Sequence, residues 1–564
     1  MNLPLEIKRD YVMLLRPVAL RQKMDLQFGA LLLLLTCAAG YSPGDPPKPM
    51  PDRYITSGIL HLPYAELHEP FSAWVDLKAD NSRLDYYNGV MKTYQMGGKD
   101  GGSSFKIMPV TVDGKVYNKM MCFKTPGSAE APMHAQPMVP NVANFSFVRR
   151  EKFSGRMCDK FTMEEDVGQK HNLYTLWTTT EGGYHPVLYE MKGYDSLLGS
   201  HFDHYIVQYT TFVAATPSKA DISPPDPTKC SGWNPGAGEH NYLMNPMREF
   251  IHNDDSHVEE SFAAFKARHG RQYEDDKEHT QRKNHFRHNM RYIHSKNRSG
   301  QKFRLAANHF TDRSDSEMHQ MRGYRYNSGH RGSLKFPYRD TRIPDNVTDW
   351  DWRLRGAVTP VKDQSVCGSC WSFGTTGAVE SGYFLHSSRL VRLSQQALID
   401  CSWGQGNNGC DGGEDTNSYK WILKHGLPTE DSYGPYLGSD AFCHVNESQA
   451  GAVRIKGHTD VPSGSVHAAK YALWKHGPLS VAIDAAHRSF VFYANGVYYE
   501  PECGNSVNNL DHAVLAVGFG ILDGEPYWLV KNSWSTYWGN AGYVLMSMKG
   551  NNCGVATAAT YVNF

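Results

Sequence analysis

Apolar and polar positions change their period along the chain, and each change marks a predicted element. In the first third they alternate: Phe71, Ala73, Val75 and Leu77 fall on one side against Ser72 and Asp76, the period of a half-buried strand. Asp113 and Gly114 interrupt the β-branched residues Val110, Thr111, Val112 and Val116, which is a hairpin signal. Further strands are predicted over 173–178, 187–191 and 204–213, so 41–215 reads as an antiparallel β-domain. Over 216–254 breakers such as Pro224, Pro225, Pro227 and Gly232 replace periodicity, as in a linker. A helical period follows, first with Phe262 and Phe265 on one face and then over 275–296. There Glu278, Arg282, Phe286, Asn289, Ile293 and Asn297 are spaced by three or four residues and form one stripe at about 100° per residue. From residue 343 onward the chain is rich in Gly, Trp and Tyr and suits one compact unit.

Near the start, 28–39 is an apolar run with Lys23 before it and small residues after it. It is too short to span a bilayer and predicts a signal-peptide core cut near Ala39 or Gly40, with 1–40 as leader and no stable membrane span. Residues 1–23 make a long preface, so either Met24 is the true start or the leader acts as an anchor. The expected route is the secretory pathway, to lysosome or exterior. Four sequons, at Asn144, Asn297, Asn346 and Asn446, fit that route as glycosylation sites.

Composition narrows the classes. The 564 residues are 40% hydrophobic and 21% charged, enough for large cores in several domains. Lys plus Arg and Asp plus Glu each number 58, and this balance removes any global argument for a nucleic-acid partner. The β-domain presents no nucleophile, metal cluster or phosphate loop; its Tyr, Trp and Met residues read as core, with a binding groove as the alternative.

Candidate chemistry lies further on. Cys370 follows a Gly-Ser turn at the start of a predicted helix, where free N–H groups and partial positive charge favour a thiolate. With Cys367 it also makes a C-x-x-C pair, open to a redox dithiol or half a zinc site, although no second pair completes a tetrahedral set. A cysteine nucleophile needs a base and a group to orient the base. His512 opens an apolar run, and Asn532 offers an amide oxygen that would hold an imidazole N–H without adding charge. Gln364, six residues before Cys370, offers an N–H donor for an oxyanion.

Together these segments resemble the papain family of cysteine peptidases. The carriers are Gln364 with Cys367, Gly368, Ser369, Cys370 and Trp371; His512 after Asp511; and Asn532, Ser533 and Trp534. The stripe matches by residue type the interrupted Glu-Arg-Phe-Asn-Ile-Asn helix of inhibitory propeptides in the cathepsin L-like branch. Asn308, Phe310 and Asp312 match the element that follows it, with Ala306 where the family usually has Gly. The resemblance implies a multidomain α+β chain: an N-terminal antiparallel β-domain, a helical inhibitory propeptide over 255–342 and a two-lobed catalytic domain over 343–564, one lobe helical and one barrel-like. It implies a cysteine endopeptidase zymogen acting on protein or peptide substrates without a cofactor or metal and inhibited by its own propeptide. Cys370 would be nucleophile, His512 base, Asn532 its orienter, Gln364 with the Cys370 N–H the oxyanion donors, and Trp534 the cover of the Asn532 contact. The rival reading is a vestigial protease homologue acting as a binding protein.

The family pattern further pairs Cys367 with Cys410, Cys401 with Cys443 and Cys503 with Cys553, leaving Cys370 free. In the β-domain Cys122 and Cys158 are the expected pair, which leaves Cys230 without a role. Gly412 and Gly413 match the edge along which substrate lies, beside Asp511, and Ala558 matches the base of the main side-chain pocket. Glu414 and Asp415 stand where apolar residues are usual; they bias the pocket rim toward Lys or Arg, or point to solvent. The layout also resembles the arthropod haemocyte two-subunit cysteine proteinases, which implies that the β-domain is retained as a second subunit. Finally, ten of the 26 histidines fall between His252 and His330 among many cations. Charging them near pH 5 is expected to loosen the propeptide by repulsion.

Overall fold

Alternation in the first third produces strands, and hydrogen bonding among them produces one large sheet. The structure, a computed structural model, describes residues 41–112, 116–180, 184–232, 246–327, 332–338, 341–445 and 452–564. The leader, the Asp113-Gly114 turn, His330 and the Asn446 sequon lie outside the described residues. Strands Arg53–Leu62 and Ser200–Val213 pair antiparallel at the centre of a 12-stranded sheet. To either side the strands follow in chain order, from Leu67–Asp76 out to Val116–Pro126 and from Pro186–Asp195 out to Ser146–Phe153. Phe71, Ala73 and Val75 are buried as their alternation requires. Leu77 is 38% exposed, because its strand ends at Asp76 and a turn begins there.

The cysteines of this sheet differ from expectation. Cys122 is bonded to Cys230, and Cys158 is free and buried. Strand order gives the reason: Cys122 lies on Val116–Pro126 near one edge and Cys158 on Arg156–Val167 near the other. The segment read as linker is itself held to the sheet, since Ser231–Gly232 pairs with Phe123 and Lys124.

The helical period gives Ser256–His269 and Asp276–Arg298. Asp275 caps the second by accepting the Glu278 N–H. The stripe is a set of props for the chain that follows. Asn289 donates to the carbonyls of Thr311 and Arg313, Asn297 exchanges two bonds with Leu305, and Arg282 reaches Glu317. Asn297, a predicted glycosylation site, is therefore half-buried and has both amide atoms in use, whereas Asn144 and Asn346 are exposed.

Phe303–Leu305 then adds a strand to the edge of a second sheet by pairing with Tyr493–Tyr498. That nine-stranded sheet carries His512–Leu522 and Glu525–Lys531 at its centre and packs against the helix Cys370–Ser387. Pro43–Phe564 forms one compact unit, and among the described residues no helix is long and apolar enough to cross a membrane.

Candidate active site

The helix and the second sheet bring together side chains far apart in sequence. Cys370 is the first residue of Cys370–Ser387, His512 the first of His512–Leu522, and Asn532 follows Glu525–Lys531 directly. All three are buried. Asn532 Oδ1 lies 2.8 Å from His512 Nε2. That oxygen can only accept, so Nε2 carries the ring proton and Nδ1 keeps its lone pair. Nδ1 has no hydrogen-bond partner. Trp534, fully buried, covers the ring at 4.8 Å between centroids.

Gln364 is oriented from both ends. Its Oε1 accepts from Ser533 Oγ at 2.6 Å and its backbone N–H donates to the Ser533 carbonyl. Nε2 is thereby aimed away from Ser533, and it donates to the carbonyl of Met321 at 2.7 Å. The bonds Cys367–Cys410, Cys401–Cys443 and Cys503–Cys553 are formed, and Cys370 is free. With Cys367 committed to Cys410, a 367–370 dithiol is ruled out.

A strap of residues from Met321 to Arg325 lies over this constellation. Gly413 donates to the Gly323 carbonyl and accepts from Arg325, in a parallel bridge with Tyr324. Asp511 takes the Tyr324 N–H on its carbonyl, and its carboxylate is ion-paired with Arg322 Nε at 2.7 Å. The Gly323 N–H is directed at the Cys370 thiol. Phe310 seals the far side edge-on to Trp534, and Asn308 donates to the Val491 carbonyl. Residues 321–325 fall within the predicted propeptide, but no side-chain motif marks them as its strap, because they act mainly through backbone atoms. Gly323 was their one signal, since a Cβ there would meet the Gly368 oxygen at 1.7 Å.

This cover reverses the electrostatics expected of a helix N-terminus. Burial pushes the Cys370 thiol up to about 11, against the N–H groups of Ala513 and Gly323, and it pushes His512 down to about 4. With the strap in place both groups are therefore neutral near pH 7, and the thiol stays in its protonated form.

The pocket residues are covered as well. Glu414 and Asp415 do not point to solvent in the zymogen: they are 2% and 3% exposed. Asp415 accepts from Thr560 Oγ1 at 2.6 Å and from the Thr416 N–H, and Glu414 accepts from the Asn327 N–H. Burial pushes both carboxyls up to about 7. Tyr324 is buried in the same apolar cluster, with Ala558 packed against its margin.

Residues 346–563 match the papain family cysteine protease domain, and 262–318 match the cathepsin propeptide inhibitor domain (I29). The chain is 44% identical over 308 residues to digestive cysteine proteinase 2 of Homarus americanus, covering 53% of this chain and 94% of that one. It is 45% identical over 322 residues to a cathepsin L-like peptidase of Aedes aegypti, covering 54% and 93%. Among solved structures, digestive procathepsin L2 proteinase from Tenebrio molitor larval midgut matches with TM-score 0.50 and 32% identity, over 54% of this chain and all of that one. The chain thus belongs to the papain family of cysteine proteases. Within that family it is a cathepsin L-like zymogen that carries its inhibitory propeptide.

The strap gives a direct test. In Gly323→Val the side chain has no room against Gly368, so the strap must lift. A thiol-alkylating probe should label Cys370 in the uncut protein at least about tenfold faster than in wild type, the equivalent of about 1.4 kcal/mol of lost closure.

Proposed function

We propose that the protein is a secreted or lysosomal endopeptidase that hydrolyses peptide bonds through a Cys-His-Asn mechanism once its strap is removed. The observation that carries this reading is the hydrogen bond from Gln364 Nε2 to the Met321 carbonyl: a donor held ready for an oxyanion is occupied by a propeptide carbonyl. With the strap gone, water reaches Cys370 and His512, and the cost of charging them falls. The thiol proton passes to His512 Nδ1, and the thiolate attacks the substrate carbonyl carbon. Gln364 Nε2 and the Cys370 N–H receive the oxyanion. His512 then gives its proton to the leaving amine, a thioester forms, and water hydrolyses it to regenerate the thiol. Asn532 positions the ring throughout. Gly412 and Gly413 would carry the extended substrate, and Asp511, released from Arg322, would border it. A vestigial binding protein is disfavoured by the full set of oriented groups.

Acid-favoured opening is supported by buried histidines, through a route different from surface repulsion. Burial lowers His279 and His285, and it lowers His288, His294 and His309 to about 3. A histidine neutral when docked and ordinary when released favours release as pH falls from about 6.5 toward 3. At pH 5 this amounts to about 2 kcal/mol for each of His288 and His294. Around His288 stand Asp203, which opposes the shift, and Arg291 and Arg287; around His294 stand Arg298, Lys106 and His257.

The β-domain would stay as a second subunit while the propeptide helix between them survives. Among the described residues its direct polar link to the peptidase is Arg488 donating to the Tyr64 carbonyl at 3.2 Å.

The protein treated at pH 5 should hydrolyse peptide amides, and Cys370→Ala should abolish this without preventing folding; hydrolysis surviving in that variant would refute the mechanism. Replacing His288 and His294 with Gln should shift the pH of self-activation downward, read from the rate of propeptide loss; an unmoved profile would refute the buried-histidine trigger. Glu414 and Asp415 give a third prediction. The raised carboxyls belong to the covered site; once the strap leaves, water reaches Glu414 and its carboxyl charges more readily, so it should favour Arg over Leu at the second position before the cut. In Glu414→Leu the ratio of kcat/KM for Arg to that for Leu should fall, and an unchanged ratio would exclude a role for this carboxyl.

A further inference from the structure

The helix Asp276–Arg298 has a second face. At about 100° per residue, Arg287, Arg291, Ser295 and Arg298 fall opposite the stripe that props the strap-bearing segment. Long charged residues there would ordinarily reach solvent. Here Arg287, Arg291 and Arg298 are 3%, 3% and 4% exposed, because the β-domain covers them.

The contacts are specific. Arg291 makes a bidentate pair with Asp203 of Ser200–Val213, both bonds at 2.7 Å, and also binds Glu249 at 2.7 Å. Arg298 makes a bidentate pair with Glu69 of Leu67–Asp76 at 2.6 and 2.7 Å, and Ser295 binds the same carboxylate. Glu69 is fully buried. Tyr87 adds a 2.6 Å bond to Ser295, and Asn118 donates to the Gly300 carbonyl. Planar guanidinium-carboxylate pairs of this kind fix orientation as well as position.

We propose that the β-domain is a clamp for the propeptide: the surface formed by Glu69, Tyr87 and Asp203 binds the propeptide helix from behind, and activation requires this grip to open. The helix is then held between two partners. Its stripe carries the segment that closes the cleft, and its opposite face is locked to the sheet. Loosening the back face gives the helix freedom to move with the strap, so the thiol is uncovered more often. This gives the β-domain a role that the catalytic reading does not use, and it rests on the zymogen reading above.

The test uses the full chain with Glu69→Gln and Asp203→Asn combined. Removing one partner from a buried charge pair is strongly disruptive. The expected result is that a thiol-alkylating probe labels Cys370 of the uncut protein at least about tenfold faster than in wild type at one fixed pH, with propeptide loss accelerated alike. Activity per titrated thiol after complete processing should equal wild type. If the double variant does not fold, Tyr87→Phe with Ser295→Ala removes only neutral groups and should accelerate labelling about two- to tenfold. Wild-type labelling in a folded variant of either kind would overturn the clamp. Labelling reads the clamp independently of turnover, so a processed wild type that labels but hydrolyses nothing would overturn the protease reading instead.

Discussion

Keeping a nucleophilic thiol neutral is the physical constraint on which this zymogen depends. The fold starts Cys370 at a helix N-terminus, which favours the thiolate. Burial beneath Gly323 outweighs that preference and leaves both Cys370 and His512 uncharged. Inhibition is therefore two events in one contact: the cleft is filled, and the dielectric that the ion pair needs is taken away. The same strap fills the Gln364 donor and pins Asp511, so the groups proposed to act in turnover are all held by one segment.

Such a cover must be held firmly, and its own few residues cannot do this alone. The stripe supports it from one side through Asn289 and Asn297. Buried ion pairs hold the same helix from the other, and breaking such a pair by removing one partner typically costs about 3–5 kcal/mol. On the proposed acid route the neutral histidines beside those pairs would weaken the hold as acid accumulates. Strength and the proposed acid lability would thus share one face of one helix.

What could be read from sequence follows from which atoms act. Cys370, His512, Asn532 and Gln364 each need one side-chain type, so their identity and order were visible. The strap works through the Met321 and Gly323 carbonyls and the Gly323 and Arg325 N–H groups, which every residue but proline possesses, and only a glycine marked it. Nothing in the sequence marks Arg291 and Arg298 as buried, because their carboxylates lie far upstream, Glu69 by 229 residues from Arg298. Cys230 found its partner through strand order, and Asp415 its burial through Thr560, both relations of topology that spacing does not carry.

The strand Phe303–Leu305 carries one more consequence. It completes the sheet by covering the edge of Tyr493–Tyr498, where Phe303 faces Gly496 and Leu305 faces Tyr493 across an irregular register. When the propeptide leaves, that edge is stripped of its partner, and unpaired backbone groups are exposed on the working enzyme. An open edge invites pairing with any extended chain. Here it is short, and Ala494 is the extra residue at the break in register, so a newly exposed template would be a poor one for self-association. Activation as proposed would unzip the protein's own sheet, and the imperfection of that seam would limit the hazard of leaving it open.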